Sequence, residues 1–587
     1  MTLRGLSPPC GLALVLALGA CADPAPAFQH DAGLGLDGSG SDGSTAIDLG
    51  DLDVVCRVGA RRCDPGAPDS RQECAPDGSG WHTVEACDVS AGDHCVAGSC
   101  RNPCTGLGDS YLGCEYWPVT LANGTLSRRF EYAVVVANTQ PYPVGLRVEG
   151  GALSEPQRRT VAPGGVEVVR LPWFPSLSQN AGQCCGPPFN IEGRASCAAR
   201  SVSATGGAYH LVADGPVAAY QFNPLEYRQG DDFSFTNDAS LLLPQNTLGQ
   251  SYLVFSYTNN GPPIGAPTDR CAVTGLRNGY VAVVGAQLQG ENTVRVRARV
   301  TLWDPADPSR TLPPGEHSFP LARGQVLLLA AQGFGADLTG AAIDTTAPAA
   351  VFSGHECTSV PIERPACDHL EEQLFPTTAW GDTYAVSPLR YRLGRFDPAA
   401  VRVMAQRDGV TLTFDGITAP AGCQGPLMRG QFCELTTDRG FAVRGSGPIA
   451  VAQYMMGLGE VAECVCSGTG CVDGPRCVGD PAMVLEVPVA QYRNRYRFLT
   501  PETYSESFVN VVAPNGAEIS LDGALLLGAT APTGSSLVTT VVPLRPGPHE
   551  IYAVDPQVRF GIKVYGVAPY TSYAYPGGLD LAPIAPP

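Results

Sequence analysis

The residues whose types and spacing could do chemistry lie between positions 355 and 372. His355-Glu356-Cys357 is followed by Cys367-Asp368-His369 and then by the adjacent carboxylates Glu371 and Glu372. Two imidazoles, two thiols and several carboxylates supply the lone pairs that zinc prefers, but their spacing matches no zinc pattern. Cys357 and Cys367 instead enclose a short loop containing two prolines, which suits a local disulfide. Glu371 and Glu372 could in principle serve glycoside hydrolysis. In a chain with 56 acidic residues such pairs arise by chance, and this one reads as a turn or cap feature. A second cluster, Cys464, Cys466, Cys471 and Cys477, occupies one Gly-rich loop. Four thiolates could hold zinc tetrahedrally, yet in an exported chain two disulfides are the better reading. Cys423 with Cys433 reads as a loop staple. Cys184, Cys185 and Cys197 do too, with Cys271 available to the odd member, and the partners within these last two groups stay open. There is no GxSxG elbow, HExxH helix, GxGxxG turn or phosphate loop. The expectation is no catalytic residue, no metal and no cofactor.

The segments around these clusters point to export. Arg4 and the apolar stretch Leu12 to Leu18 form a signal, and Leu18-Gly19-Ala20-Cys21 resembles a bacterial lipobox in which Cys21 takes lipid. Arginine supplies all 38 basic residues except Lys563, a usage that suggests a GC-rich bacterial genome. Of 22 cysteines, removing Cys10 with the signal and Cys21 for lipid leaves an even number for disulfides. Residues 22–55 are polar, low in complexity and expected to be a disordered tether. Residues 56–104 form a cysteine-rich module, and the stretch from 56 to 114 holds eight cysteines whose spacing favours disulfides over zinc, with their connectivity left open. A net charge of -18 would repel nucleic acid, and no later segment is apolar for long enough to span a bilayer, so lipid is the expected membrane attachment. The expected location is the bacterial cell envelope, on the outer membrane and facing outward.

Beyond the module, the chain alternates with the two-residue period of strands, most plainly in Thr293 to Leu302, where three arginines face away from the apolar positions. Pro244, Pro376 and Pro488 are each followed eight residues later by a tyrosine, at 252, 384 and 496, and each proline is preceded by an aspartate, Asp238, Asp368 or Asp480. Asp214-Gly215-Pro216, Thr346-Ala347-Pro348 and Ser446-Gly447-Pro448 each lead into an apolar strand, where proline forfeits no ladder donor. This repeat predicts an all-β chain of tandem antiparallel β-sandwich-like units at 105–228, 229–356, 357–478 and 479–575, followed by a C-terminal tail at 576–587. A β-propeller is the alternative architecture.

The stretch from Gly354-His355-Glu356-Cys357 to Cys367-Asp368-His369-Leu370-Glu371-Glu372-Gln373-Leu374, with Pro376, Trp380-Gly381 and Tyr384, resembles the IgG Fc-binding protein N-terminal domain family. Asn237-Asp238-Ala239-Ser240, Leu243-Pro244 and Gly249-Gln250-Ser251-Tyr252 resemble its preceding segment. The resemblance covers about residues 105 to 575 and implies an extracellular module of mucus-associated or adhesive proteins with no catalytic residues to carry over. The expected function is adhesion or ligand binding through loops of the β-domains, with an extracellular glycoconjugate or protein as partner. The alternatives are a structural envelope protein that binds another subunit and, third, an uncharacterised hydrolase.

Overall fold

The computed structural model describes residues 55–123, 129–178, 199–260, 277–364, 366–391, 395–458, 466–467, 470–471, 478–526, 530–534 and 536–585. Among them the chain is all-β with antiparallel pairing throughout, and its one α-helix is the single turn Pro175–Ser178. No helix in this set is long and apolar enough to cross a membrane. The expected disulfide partners Cys184, Cys185, Cys197, Cys271, Cys464 and Cys477 lie outside the described residues, as does the lipid-attachment residue Cys21. Only the backbone is described at Cys466 and Cys471, which face each other across a short two-stranded pair.

The chain divides into a small N-terminal unit and a large one. The small unit is a three-stranded sheet, Arg61–Asp64, Ala67–Cys74 and Trp81–Ala86, whose last strand is almost wholly exposed. The disulfides Cys56–Cys74, Cys63–Cys95 and Cys87–Cys100 hold it, and Cys56, Cys74, Cys87 and Cys95 are its buried apolar residues. So small a piece cannot bury enough surface to fold on burial alone, and cross-links supply the difference.

The large unit is built from four two-layered β-sandwiches. In each, one stretch of chain crosses from the outer layer to the inner one at a turn. The crossings run through Tyr209–Phe222, from Ala342–Thr345 into Ala349–Thr358, from Phe441–Gly445 into Ile449–Met455, and from Gly547–Ala553 into Gly561–Ala568. In the first three the crossing falls at Pro216, Pro348 and Pro448, where a missing N–H costs nothing because the strand is changing partners. Outer strands alternate buried and exposed: in Asn292–Ala298 the arginines face solvent, and Arg295 and Arg297 pair with Glu316 at 3.3 and 3.1 Å. Inner strands such as Gly279–Gly285, Val326–Ala330 and Ala349–Thr358 are buried along their whole length, because each has its own outer layer on one face and the centre of the unit on the other.

A last strand closes each sandwich by pairing with the inner strand before it: Ala239–Leu242, Asp368–Gln373, Met483–Leu485 and Thr571–Pro576. These four closing strands neighbour one another in a ring, first to second, second to third, third to fourth and fourth to first. The chain ends also meet. Tyr111 N–H donates to the Leu579 carbonyl at 3.1 Å, Ser110 bridges to Asp580, and Asp580 N–H donates to the Gln491 carbonyl at 3.0 Å. The C-terminal residues thereby close the ring against the first sandwich.

The repeated tyrosine serves the same purpose four times. The hydroxyls of Tyr116, Tyr252, Tyr384 and Tyr496 accept from the backbone N–H three residues earlier, that of Gly113, Gly249, Gly381 or Arg493. Each donates to the carbonyl where the crossing chain enters the inner layer, on Val217, Ala349, Ile449 or Phe560. The three glycines also admit the proline that opens the next sandwich. A Cβ on Gly113, Gly249 or Gly381 would lie 2.2, 2.4 or 2.7 Å from Cβ of Pro244, Pro376 or Pro488. The repeat of proline and tyrosine is therefore the joint between successive sandwiches.

Tyr252→Phe removes both bonds of one joint and strands the half-buried Gly249 N–H and the buried Ala349 carbonyl. It is expected to lower unfolding free energy by ~1–3 kcal/mol in urea titration. An unchanged midpoint would mean the joint is packing alone.

Candidate functional site

His355, Glu356, Cys357, Asp368, His369, Glu371 and Glu372 are brought together by the antiparallel pairing of Ala349–Thr358 with Asp368–Gln373. None is more than 1% exposed. Cys357 and Cys367 are joined by a disulfide, as are Cys423 and Cys433 and, at the start of the large unit, Cys104 and Cys114. The two thiols of the 355–372 cluster are thus spent. The His355 imidazole accepts from Cys357 N–H through Nδ1 at 3.1 Å, and burial drives its pKa down to about 3, so the ring is neutral.

The carboxylates are engaged by the fold. Asp238 Oδ1 accepts N–H groups from Ala239 at 2.9 Å and Ala574 at 3.1 Å, and Oδ2 accepts from Glu371 and Met483, both at 3.1 Å. These donors belong to the first, fourth, second and third closing strands, so one side chain binds all four. Asp368 Oδ2 accepts from Thr571 Oγ1 at 2.9 Å and Ser572 N–H at 3.2 Å, and its Oδ1 from His369 N–H at 2.7 Å. Asp480 accepts from Leu458 N–H, and its own N–H donates to Ser572 Oγ. Glu372 accepts from Leu485 N–H and Ser240 Oγ. Glu371 accepts from Gln221 and Asn223 of the first sandwich, with His369 Nε2 at 3.3 Å. Burial raises the pKa of Asp238, Asp368 and Glu372 well above the ordinary carboxylate range, and neighbouring acids raise it further while the donated hydrogen bonds oppose the shift. The cluster that reads in sequence as chemistry is the polar centre of the ring, sealed from substrate.

An accessible site lies elsewhere, at the seam of the first two sandwiches. An open cleft of about 470 Å³ is lined by Leu153, Glu155, Pro156, Glu149, His210 and Arg323, among others. The Trp117 ring forms its floor, stacked on His210 at 4.4 Å with Arg323 over its other neighbourhood at 5.1 Å. Glu115 holds both side chains in place, 2.7 Å from His210 Nε2 and 3.3 Å from Arg323. Those contacts, the His210 hydrogen bond foremost, keep the Glu115 carboxyl below its usual range against partial burial. An aromatic floor, an apolar lip and charged groups of both signs line a cleft of the size that small ligands occupy. Sequence reasoning missed it, because its residues come from four separate segments and no short-range spacing marks them.

A sequence model of the family described as IgGFc binding protein matches residues 238–566, more than half of the chain. The chain belongs to this family. The match starts at Asp238, the carboxylate shared by the four closing strands, and runs into the last sandwich. The human IgGFc-binding protein is 30% identical over 258 residues, which is 43% of this chain and 4% of the human protein. The similarity therefore spans a small part of that relative's length. Among solved structures, the viral chemokine binding protein R17 encoded by rodent gammaherpesvirus Peru covers 56% of this chain and 97% of its own at 10% identity and a TM-score of 0.10, which carries no structural argument.

Glu356 offers a test of this buried polar centre. Its Oε1 accepts from Ala199 and Asn278 N–H, and burial raises its carboxyl to about 7, with the charge of Arg277 opposing. The folded state therefore holds a proton that the unfolded chain, with a value near 4.5, releases. This contribution is fully present below the unfolded value and is lost as pH rises through about 7. Glu356→Gln does not titrate. Its stability relative to the unsubstituted chain is expected to rise between pH 4.5 and 8 by up to ~3 kcal/mol, measured by urea unfolding across that range. Parallel pH profiles would contradict the shift.

Proposed function

We propose that the chain is a non-catalytic binding protein that recognises an extracellular protein through loops of its sandwiches, the cleft beside Trp117 being the principal contact. The observation that carries this reading is the division of labour between the two polar sites. The acids and histidines at the ring centre are buried and hydrogen-bonded within the fold, while the open cleft presents charges of both signs and apolar surface to solvent. Membership of a family named for binding supports it, and the name of the human relative favours a protein ligand over a glycan. Loops on a rigid scaffold are where such recognition is placed.

The proposal extends to location. The chain is exported, acylated at Cys21 and held by residues 22–55 away from an outer membrane, with its large unit facing outward. Acylation makes recognition local to the cell surface and suits adhesion.

The oxidised protein, applied to arrays of immunoglobulins, mucins, matrix proteins and polysaccharides, is expected to bind one protein class saturably. Combined Glu155→Arg and Arg323→Glu substitutions are expected to weaken that binding about tenfold or more. Binding confined to polysaccharides would overturn the protein partner, and undiminished binding by the charge-reversed variant would overturn the cleft.

A further inference from the structure

Lys563 is the only lysine in the 587-residue chain, and it is buried, 4% exposed, on the inner strand Gly561–Ala568 of the fourth sandwich. Its Nζ donates hydrogen bonds to the carboxyl group of Glu486 and to Oε1 of Gln453. Gln453 is 2% exposed on the inner strand Ile449–Met455 of the third sandwich, and Glu486 is 8% exposed just beyond that sandwich's closing strand. An amine, a carboxamide and a carboxylic acid thus converge from two sandwiches in a site closed to solvent. The strands that carry the amine and the amide are paired on both sides, Gln453 with Val401 and Val484, and Lys563 with Asn510 and Pro576. The carboxamide is oriented by its Nε2, which donates to the Ser387 carbonyl at 3.1 Å. Beside it is a cavity of about 10 Å³, lined by Ser387, Glu486, Tyr492 and Lys563 among others, with room for about one water-sized molecule.

We propose that Lys563 and Gln453 become joined by an amide bond, with Glu486 carrying the proton, so that the third and fourth sandwiches are covalently tied. The neutral amine of Lys563 adds to Cδ of Gln453, and the carboxylic acid of Glu486 gives its proton to the amide nitrogen of Gln453. The Cδ–Nε2 bond breaks, ammonia leaves, and the Glu486 carboxylate takes up the extra proton on the Lys563 nitrogen, which restores the acid. The step consumes one amine and one carboxamide and yields one amide and one ammonia, with no oxidant and no cofactor. Holding both groups in one geometry replaces the translational entropy that makes this exchange slow between free molecules. Burial supplies the protonation states, lowering the Lys563 ammonium and raising the Glu486 carboxyl, each partly restored by the other. An ion pair kept whole in this site would gain little against its desolvation, whereas an amide leaves no charge to bury.

The test is peptide mapping of the full chain after reduction and cleavage at arginine only. The expected product is a branched peptide joining the fragment that follows Arg444 to the fragment that follows Arg559, lighter than their sum by one ammonia. Glu486→Gln, shown to be folded by its near-ultraviolet circular dichroism, is expected to release the two fragments separately. Separate fragments from the unsubstituted chain would overturn the proposal without reference to any variant. Linkage by loss of water would overturn it by making Glu486 the acyl partner, and a branched peptide from folded Glu486→Gln would overturn the proton-carrying role.

Discussion

The ring depends on one carboxylate. Asp238 receives four backbone N–H groups, one from each closing strand, and both its oxygens are filled by them. These four bonds lie where no water competes for either oxygen, so each donor lost would stay unsatisfied. The arrangement demands that four strands, far apart in sequence, arrive together with their N–H groups aimed at one point. The tyrosine joints and the proline turns set the angle between sandwiches, and the C-terminal residues hold the ring shut by pairing with residues 109–111. Arg402 adds a tie between the second and third sandwiches, donating to the Ser256 carbonyl and Thr339 and pairing with Asp337 and Glu434 under the face of Tyr257.

This use of polar groups decides where function can reside. Inner and closing strands are buried on both faces, so the carboxylates on them need donors and take them from the backbone or side chains of neighbours. A group so bonded is unavailable to a substrate. The outer layers and turns carry the ionic and aromatic groups that solvent reaches, and at the first seam these assemble into a cleft. The same physics that closes the centre leaves the proposed recognition to the periphery.

Much of the fold was legible in the sequence. The spacing of Pro244 and Tyr252, repeated at 376 and 384 and at 488 and 496, marked the joints because each joint needs a rigid turn and a hydroxyl at fixed separation. The two-residue period in Thr293 to Leu302 marked an outer strand, since one face is wet. The acids Asp238, Asp368 and Asp480 stood out as a pattern, but their role did not. A carboxylate bound to four strands looks in sequence like any aspartate, and its donors come from positions 239, 371, 483 and 574, a relation that exists only after folding. Likewise, His355 to Glu372 had the right residue types for chemistry, and only burial reveals that they are consumed by structure. The surface cleft was invisible for the same reason, its floor and walls being brought together from residues near 117, 150, 208 and 323.

The most direct test of the central carboxylate is the unfolding free energy of Asp238→Asn, followed in urea by near-ultraviolet circular dichroism. The substitution keeps the shape but offers one accepting oxygen, so whichever way the amide turns, two of the four N–H groups face an NH₂ group. With two buried donors unsatisfied at ~1–3 kcal/mol each, a loss of ~2–6 kcal/mol is the predicted result, with the exposed control Asp231→Asn near zero. An Asp238→Asn chain as stable as the original would mean that the four strands are held by packing alone and that the carboxylate is incidental.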